Sequence, residues 1–264
     1  MDWINLGTKL SRYIRPATFP LAVKLVKPGE TIPEKARKIR KNTTICQLLT
    51  IARRTGRTMY GGPEEFVCHG VMALGFADYT DKELEEYVKK TVEWIHPLYT
   101  KTPEIAEKSL KFLAKIPPNS TLAIVASPLE WTRIQPDMIL VYGNPAQISL
   151  IINALVWGKE EGAFLESKHV FTVSSCDGFA RCYMEKKPQI VIPTYGTRTF
   201  SFVMDEEILA IIPAEKLQET VEALEKLWKA GVRYPTPYQI EMDVVGTGFP
   251  KGEVEAVEKL KKKT

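Results

Sequence analysis

No stretch of this 264-residue chain approaches the ~20 consecutive apolar residues that a membrane-spanning helix needs. It has only a slight charge excess, +4, part of it in Lys259-Leu260-Lys261-Lys262-Lys263, read as a solvated helix end. No basic stripe interleaves with aromatic residues, which argues against a nucleic-acid partner. Walker, zinc-protease, nucleophile-elbow and kinase motifs are all missing, and Gly246-Thr247-Gly248 has no dinucleotide fingerprint after it, so there is no nucleotide cofactor motif. Met1-Asp2-Trp3 opens on an acid with no apolar run behind it, so no signal peptide is expected and the cytoplasm is the expected compartment. Asparagine and glutamine are sparse beside lysine and glutamate, which suits a thermophile.

Cysteine is also scarce: four residues, Cys46, Cys68, Cys176 and Cys182. In a reducing compartment they are not a disulfide scaffold, which leaves metal ligands, reactive thiols or small buried hydrophobes. The apolar fraction of 44% is that of a globular protein able to bury its own core.

The element pattern is mixed. An amphipathic helix is expected over 3–14, closed by Pro16 and Pro20, and then a strand at 21–26 with alternating apolar residues. Thr44-Ile45-Cys46-Gln47 is a capping-box start for a helix reaching Thr55 and ending at Gly56. A strand and turn at 57–66 and helices at 80–95 and 102–115 follow, then strands at 121–125 and 138–142. Asn144, Pro145 and Gln147 open the next helix as cap, first helical residue and box partner. Strands at 168–173, 189–192 and 207–212, a helix at 214–230 and a last helix from about Gly252 complete an α/β fold, with mixed α+β as the variant. One domain over 1–264 is expected, with 231–264 as a C-terminal extension carrying a helix. The shared starts at Thr44 and Asn144, each followed by a Cys-x-Gly turn, suggest half-repeats at about 20–117 and 118–230 sharing one core. Such halves would bring Cys68 and Cys176 to one cleft.

The chemistry sits with the thiols. Cys46 is placed in the first turn of its helix, and Cys68-His69-Gly70 and Cys176-Asp177-Gly178 at the lead-in to theirs, where helix N–H groups and the dipole favour a thiolate. Glycine two residues on lets the backbone approach a bulky ligand. Four thiolates would complete a zinc site or an iron–sulfur cluster, although the spacing matches no ferredoxin or zinc-ribbon pattern. Cys176 and Cys182 do not share a helical face, so Cys176 is expected to project from the preceding loop, and Cys182, among Ala180, Tyr183 and Met184, also reads as core. His69 is the imidazole candidate, as ligand or base. His96, at a helix end, and His169, at a strand start, read as structural. A second candidate site is Thr197-Arg198, whose guanidinium could grip a carboxylate or phosphate together with the Asn144 helix start. Pairing of Arg198 with Asp205 or Glu206 is the competing account. Arg53-Arg54 suits a helix C-terminus without any ligand.

Several segments together resemble the archaeal and bacterial domain-of-unknown-function family 169. They are Pro20-Leu21-Ala22-Val23-Lys24-Leu25, Cys46-Gln47 with Ala52-Arg53-Arg54, Cys68-His69-Gly70 ahead of Leu74-Gly75, Gly196-Thr197-Arg198, Asp205-Glu206-Glu207, and Ile212-Pro213. The resemblance runs from about residue 5 to about 230 and implies a prokaryotic cytoplasmic protein with one family-wide domain and no settled activity. From the residues themselves, three functions stay open. The first is an iron–sulfur or thiolate-metal protein held by Cys46, Cys68, Cys176, Cys182 and His69, serving a redox partner protein. The second is a binder of a small anionic ligand through Arg198, Thr197 and Asn144. The third is a cysteine-dependent enzyme. A homo-oligomer is compatible with each.

Overall fold

The computed structural model describes residues 1–77, 79–160, 162, 173–236 and 251–261. His169, nearly all of the strand expected at 168–173, and Gly246-Thr247-Gly248 lie outside the described residues. The chain divides into a compact unit Met1–Tyr234 and a second unit Pro235–Thr264. In chain order the first unit holds α1 (Trp3–Ile14), β1 (Leu21–Val26), β2 (Arg37–Lys38), α2 (Ile45–Thr55), β3 (Met59–Gly61), α3 (Gly70–Ala73), α4 (Asp81–Ile95) and α5 (Pro103–Leu110). It continues with β4 (Ala123–Pro128), β5 (Met138–Gly143), α6 (Pro145–Leu155), α7 (Ser175–Glu185), β6 (Gln189–Val191), α8 (Tyr195–Ser201), β7 (Ile208–Pro213) and α9 (Leu217–Lys229). The second unit holds α10 (Lys251–Lys261). Among the described residues no helix is long and apolar enough to cross a membrane.

The fold is mixed α/β, built on a seven-stranded sheet of order β2-β3-β4-β1-β5-β7-β6. Every pairing is antiparallel except β2 with β3. β1 lies at the centre, with Val23 opposite Ala126 on one side and Met138 on the other. Its expected alternation fails for that reason. Both of its faces are covered, so five of its six residues are buried, as in strands sandwiched between helix layers.

Alternate residues of each strand feed two separate cores. Ala22, Val26, Ile139, Val141 and Ile212 meet α1, α6 and α9 on one face. Leu21, Val23, Leu25, Leu140, Tyr142 and Ile211 meet α2, α3 and α7 on the other. Each fully buried leucine or isoleucine contributes roughly 1.5–3 kcal/mol of transfer free energy.

Both capping boxes form as their sequences require. Thr44 Oγ1 accepts from Gln47 N at 3.1 Å while Thr44 N donates to the Gln47 amide oxygen at 2.8 Å, and Gly56 closes α2 in a left-handed conformation at φ 72°. Asn144 and Gln147 repeat the arrangement with Pro145 in the first turn of α6. These two look-alike helices lie on opposite faces of the sheet, α2 in one core and α6 in the other. Their matching starts reflect the same capping chemistry at non-equivalent positions relative to the thiols.

Candidate functional site

Three helices start around one spot on the α2 side of the sheet. Cys46 is the second residue of α2, Cys176 the second residue of α7, and Thr197 the third residue of α8. Cys176 is therefore inside its helix and not in the loop before it, because α7 begins at Ser175. Tyr195–Ser201, which carries the Thr197-Arg198 pair of the second candidate site, is a short helix capped by Thr194.

Gly70 explains how the thiols converge. A methyl group there would lie 2.4 Å from Ile45 Cδ1, 2.9 Å from Cys176 Sγ and 3.3 Å from Cys68 Sγ. The two sulfurs are thus no farther apart than the sum of those last two distances, and only a residue without Cβ fits between them. The Cys46 and Cys176 thiols are near enough for each to shift the other's acidity, Cys46 downward and Cys176 upward. Cys46, Cys68 and Cys176 form one cluster, drawn from segments far apart in sequence.

Cys182 does not join it. Its side chain is buried, 1% exposed, in the core beside α7, and burial pushes its thiol up to about 12, with Lys186, Glu215 and Lys216 as its charged neighbours. A set of four thiolates is not assembled in this structure. Among the described residues no group of three or more His, Cys, Asp or Glu side chains is arranged to hold a metal ion.

The three clustered thiols differ in acidity. Cys46 is held below the ordinary thiol value, first by the neighbouring Cys176 thiol. The Thr197 and Ser175 hydroxyls and the more distant Arg53 charge add to this against the opposing effect of burial. Cys176 is held well above the ordinary value by the neighbouring Cys46 thiol and by burial. Burial also raises Cys68 to about 11, although the backbone N–H groups of Ile45 and Gly70 donate to its sulfur. One thiolate is favoured, and its two neighbours stay protonated to serve it.

The cluster forms the floor of a cavity of about 650 Å³, within the range of small-molecule sites. Its apolar walls come from Phe66, Val67, Val71, Val173 and Phe200, and α4 closes a side with Tyr87, Lys90, Thr91 and Trp94. His69 Nδ1 and the Tyr87 hydroxyl share a hydrogen bond. Burial keeps His69 below its usual pKa, hence neutral near pH 7, and pushes Tyr87 up to about 12. Among the described residues no carboxylate lines the cavity.

Beneath the floor, Arg53 is fully buried and makes a two-pronged ion pair with Glu207 at 2.5 and 2.9 Å, its guanidinium 4.1 Å from the centre of the Tyr142 ring. Arg53 lies in the last turn of α2, as expected, and seven residues after Cys46, on the same side of that helix. Arg54 donates to the Phe202 carbonyl.

The second candidate site does not assemble. Arg198 donates to the Met204 and Glu207 carbonyls, holding the loop before β7 in place of the expected Asp205 or Glu206 pairing. Asn144 caps α6 and donates to the Tyr234 hydroxyl. Of that trio only Thr197 lines the cavity. His96 ends α4, with Nδ1 against the Thr100 carbonyl.

Reading by sequence missed Ser175, Tyr87 and Trp94. The last two were marked by their spacing, since Tyr87, Thr91 and Trp94 fall on one stripe of α4. Ser175 carried no signal beyond its place next to Cys176.

A model of the domain-of-unknown-function family 169, described as uncharacterised ArCR, matches residues 9–223. The chain belongs to this family. An uncharacterized protein of Methanocaldococcus jannaschii is 27% identical over 219 residues, covering 80% of this chain and 90% of that protein. No solved structure matches. All the thiols and the whole described lining of the cavity fall inside the matched segment.

Proposed function

We propose that this member of family 169 works through a reactive cysteine, Cys46, at the floor of a pocket for an apolar small molecule. The observation that carries this reading is the polarisation of the cluster. Three hydroxyl or thiol donors, from Cys176, Thr197 and Ser175, face one sulfur at the start of an eleven-residue helix. Such an environment is that of an activated thiolate. The test is alkylation by iodoacetamide at neutral pH, followed residue by residue by peptide mass mapping. Cys46 should react first and Cys182 last. Equal, slow labelling of all four would sink the proposal.

A thiolate-held metal is the second reading, favoured by the closeness of the Cys68 and Cys176 sulfurs across Gly70. As placed, Cys46, Cys68 and Cys176 form no metal-binding group among the described residues, so an ion would have to draw them closer together, and a soft or borderline one such as zinc or iron suits thiolates. An iron–sulfur cluster with four protein ligands would need a fourth from somewhere other than Cys182, and would give the protein an electron-transfer partner. Iron, zinc and acid-labile sulfide on anaerobically purified protein decide this reading. Metal lost in Cys68→Ser supports it, and protein free of all three removes it.

A further inference from the structure

We infer that the site is built to accept an acyl group, with Cys46 as the nucleophile, the start of α7 as the cradle for the carbonyl oxygen, and the aromatic walls as the seat of an apolar acyl chain. This rests on the reading of Cys46 as a reactive thiolate and names its substrate class.

The cradle has two independent supports. α7 is an eleven-residue helix whose first N–H groups receive no side-chain cap among the described residues; Ser174, its N-cap residue, donates instead to the Ile192 carbonyl. Natural helices rarely leave that end buried without partners. Ser175 lines the cavity at 2% exposure, and among the described residues its Oγ has no hydrogen-bond partner. A buried hydroxyl without an oxygen or nitrogen partner, beside uncapped helix N–H groups, is a donor set waiting for an oxygen. The carboxylate nearest this helix start is already engaged. Asp177 accepts from Ala114 N at 2.7 Å and Arg181 Nε at 2.7 Å and does not line the cavity.

Charge selects among oxygen ligands. A carboxylate or phosphate would bring a full negative charge against the Cys46 thiolate in a partly dry pocket, where like charges repel strongly. A neutral carbonyl brings none, and gains negative charge only as the sulfur's charge is spent on the new bond. The site therefore favours an uncharged acyl carbonyl. Phe66, Val71, Trp94 and Phe200 offer apolar surface to the rest of the ligand.

In the step itself, the Cys46 sulfur, its proton already in solvent, forms a bond to the carbonyl carbon. The carbonyl π pair moves to oxygen, at the α7 start and Ser175 Oγ. That pair then returns, the bond to the leaving group breaks, and the leaving group departs with its electrons as an anion. The product is a thioester on Cys46.

The experiment uses the full chain with p-nitrophenyl hexanoate and p-nitrophenyl acetate, whose leaving group needs no proton from the protein. Iodoacetamide alkylation is run in parallel. Expected are a nitrophenolate burst, a hexanoyl mass on the Cys46 peptide, and hexanoate faster than acetate by roughly tenfold or more, as burial of the added methylenes dictates. Ser175→Ala should lower the ratio of acylation to alkylation at Cys46 by roughly tenfold or more, the loss of one oxyanion donor. If Cys46 alkylates fast but takes no acyl group, or takes acetate as readily as hexanoate, the acyl inference falls while the reactive-cysteine reading stands. If Cys46 neither alkylates nor acylates, both fall.

Discussion

Both faces of the sheet are covered by helices, yet they are made of different material. On the α1, α6 and α9 face the core is apolar, and its buried Gln147 and Thr220 are spent on the carbonyls of Ile14, Arg15 and Lys216. On the α2, α3 and α7 face lie the buried Arg53–Glu207 pair and Ser174, and around the cavity Ser175, Thr197, Ser201 and three thiols. Buried polar groups cost desolvation, and an apolar replacement of similar shape is often as stable. A sheet that closes one face with hydrocarbon and uncharged polar groups has no structural need of charge on the other. On the proposed reading, the asymmetry makes the α2 face the working face.

The largest effect that could break this comparison is at Arg53. Arg53→Ala strands Glu207 beneath the thiol floor and should cost about 3–5 kcal/mol in urea unfolding, the usual result of breaking a buried pair from one side. Replacing both partners, Arg53→Met with Glu207→Leu, should recover most of that stability. It should also raise the pH at which Cys46 alkylates, because a favourable positive charge has gone. A cost below ~1 kcal/mol for Arg53→Ala would mean that the pair is solvated and that the two faces are energetically alike.

A pair of glycines sharpens the comparison at a smaller scale. On the closed face a methyl group at Gly7 would meet Leu129 Cγ at 2.8 Å and the Leu129 backbone carbon at 2.9 Å; on the working face one at Gly70 meets Ile45 and two sulfurs. Gly7→Ala and Gly70→Ala should each cost about 1–3 kcal/mol by overpacking. Only Gly70→Ala should change the order in which the cysteines alkylate, since it alone separates Cys68 from Cys176. A change of order in Gly7→Ala would show that thiol reactivity follows global stability and not local geometry.

What could be read from the sequence was local. The Thr44–Gln47 and Asn144–Gln147 boxes name their own bonds, and α1, β1 and β5 follow from apolar runs bounded by proline or glycine. The site is non-local, and there the reading ran out. Spacing could not say that Cys182 points into the core while Cys68, over a hundred residues before Cys176, reaches it across a glycine. Nor could it show that Thr194, four residues before Arg198, caps a helix, which turns the arginine towards carbonyls and the threonine at 197 towards the sulfur. The repeat suggested by two similar helix starts was local chemistry as well. A capping box says how a helix begins and nothing about which side of a sheet it covers.

The smallest test is the most specific to the site. Thr197→Val keeps the shape of the side chain and removes one donor facing the Cys46 sulfur. A hydrogen bond worth about 0.5–1.5 kcal/mol corresponds to roughly 0.5–1 pH unit in the alkylation midpoint. The sign is fixed: the donor stabilises the thiolate and lowers the Cys46 pKa, so its loss raises the midpoint and slows alkylation at pH 7. Well above pH 9 the two proteins should react alike, because Cys46 is then ionised in both. Cys182, buried away from α8 with its thiol near 12, should label at an unchanged rate throughout. A uniform slowing at every pH would point instead to a narrowed entrance, and the donor role of Thr197 would be lost.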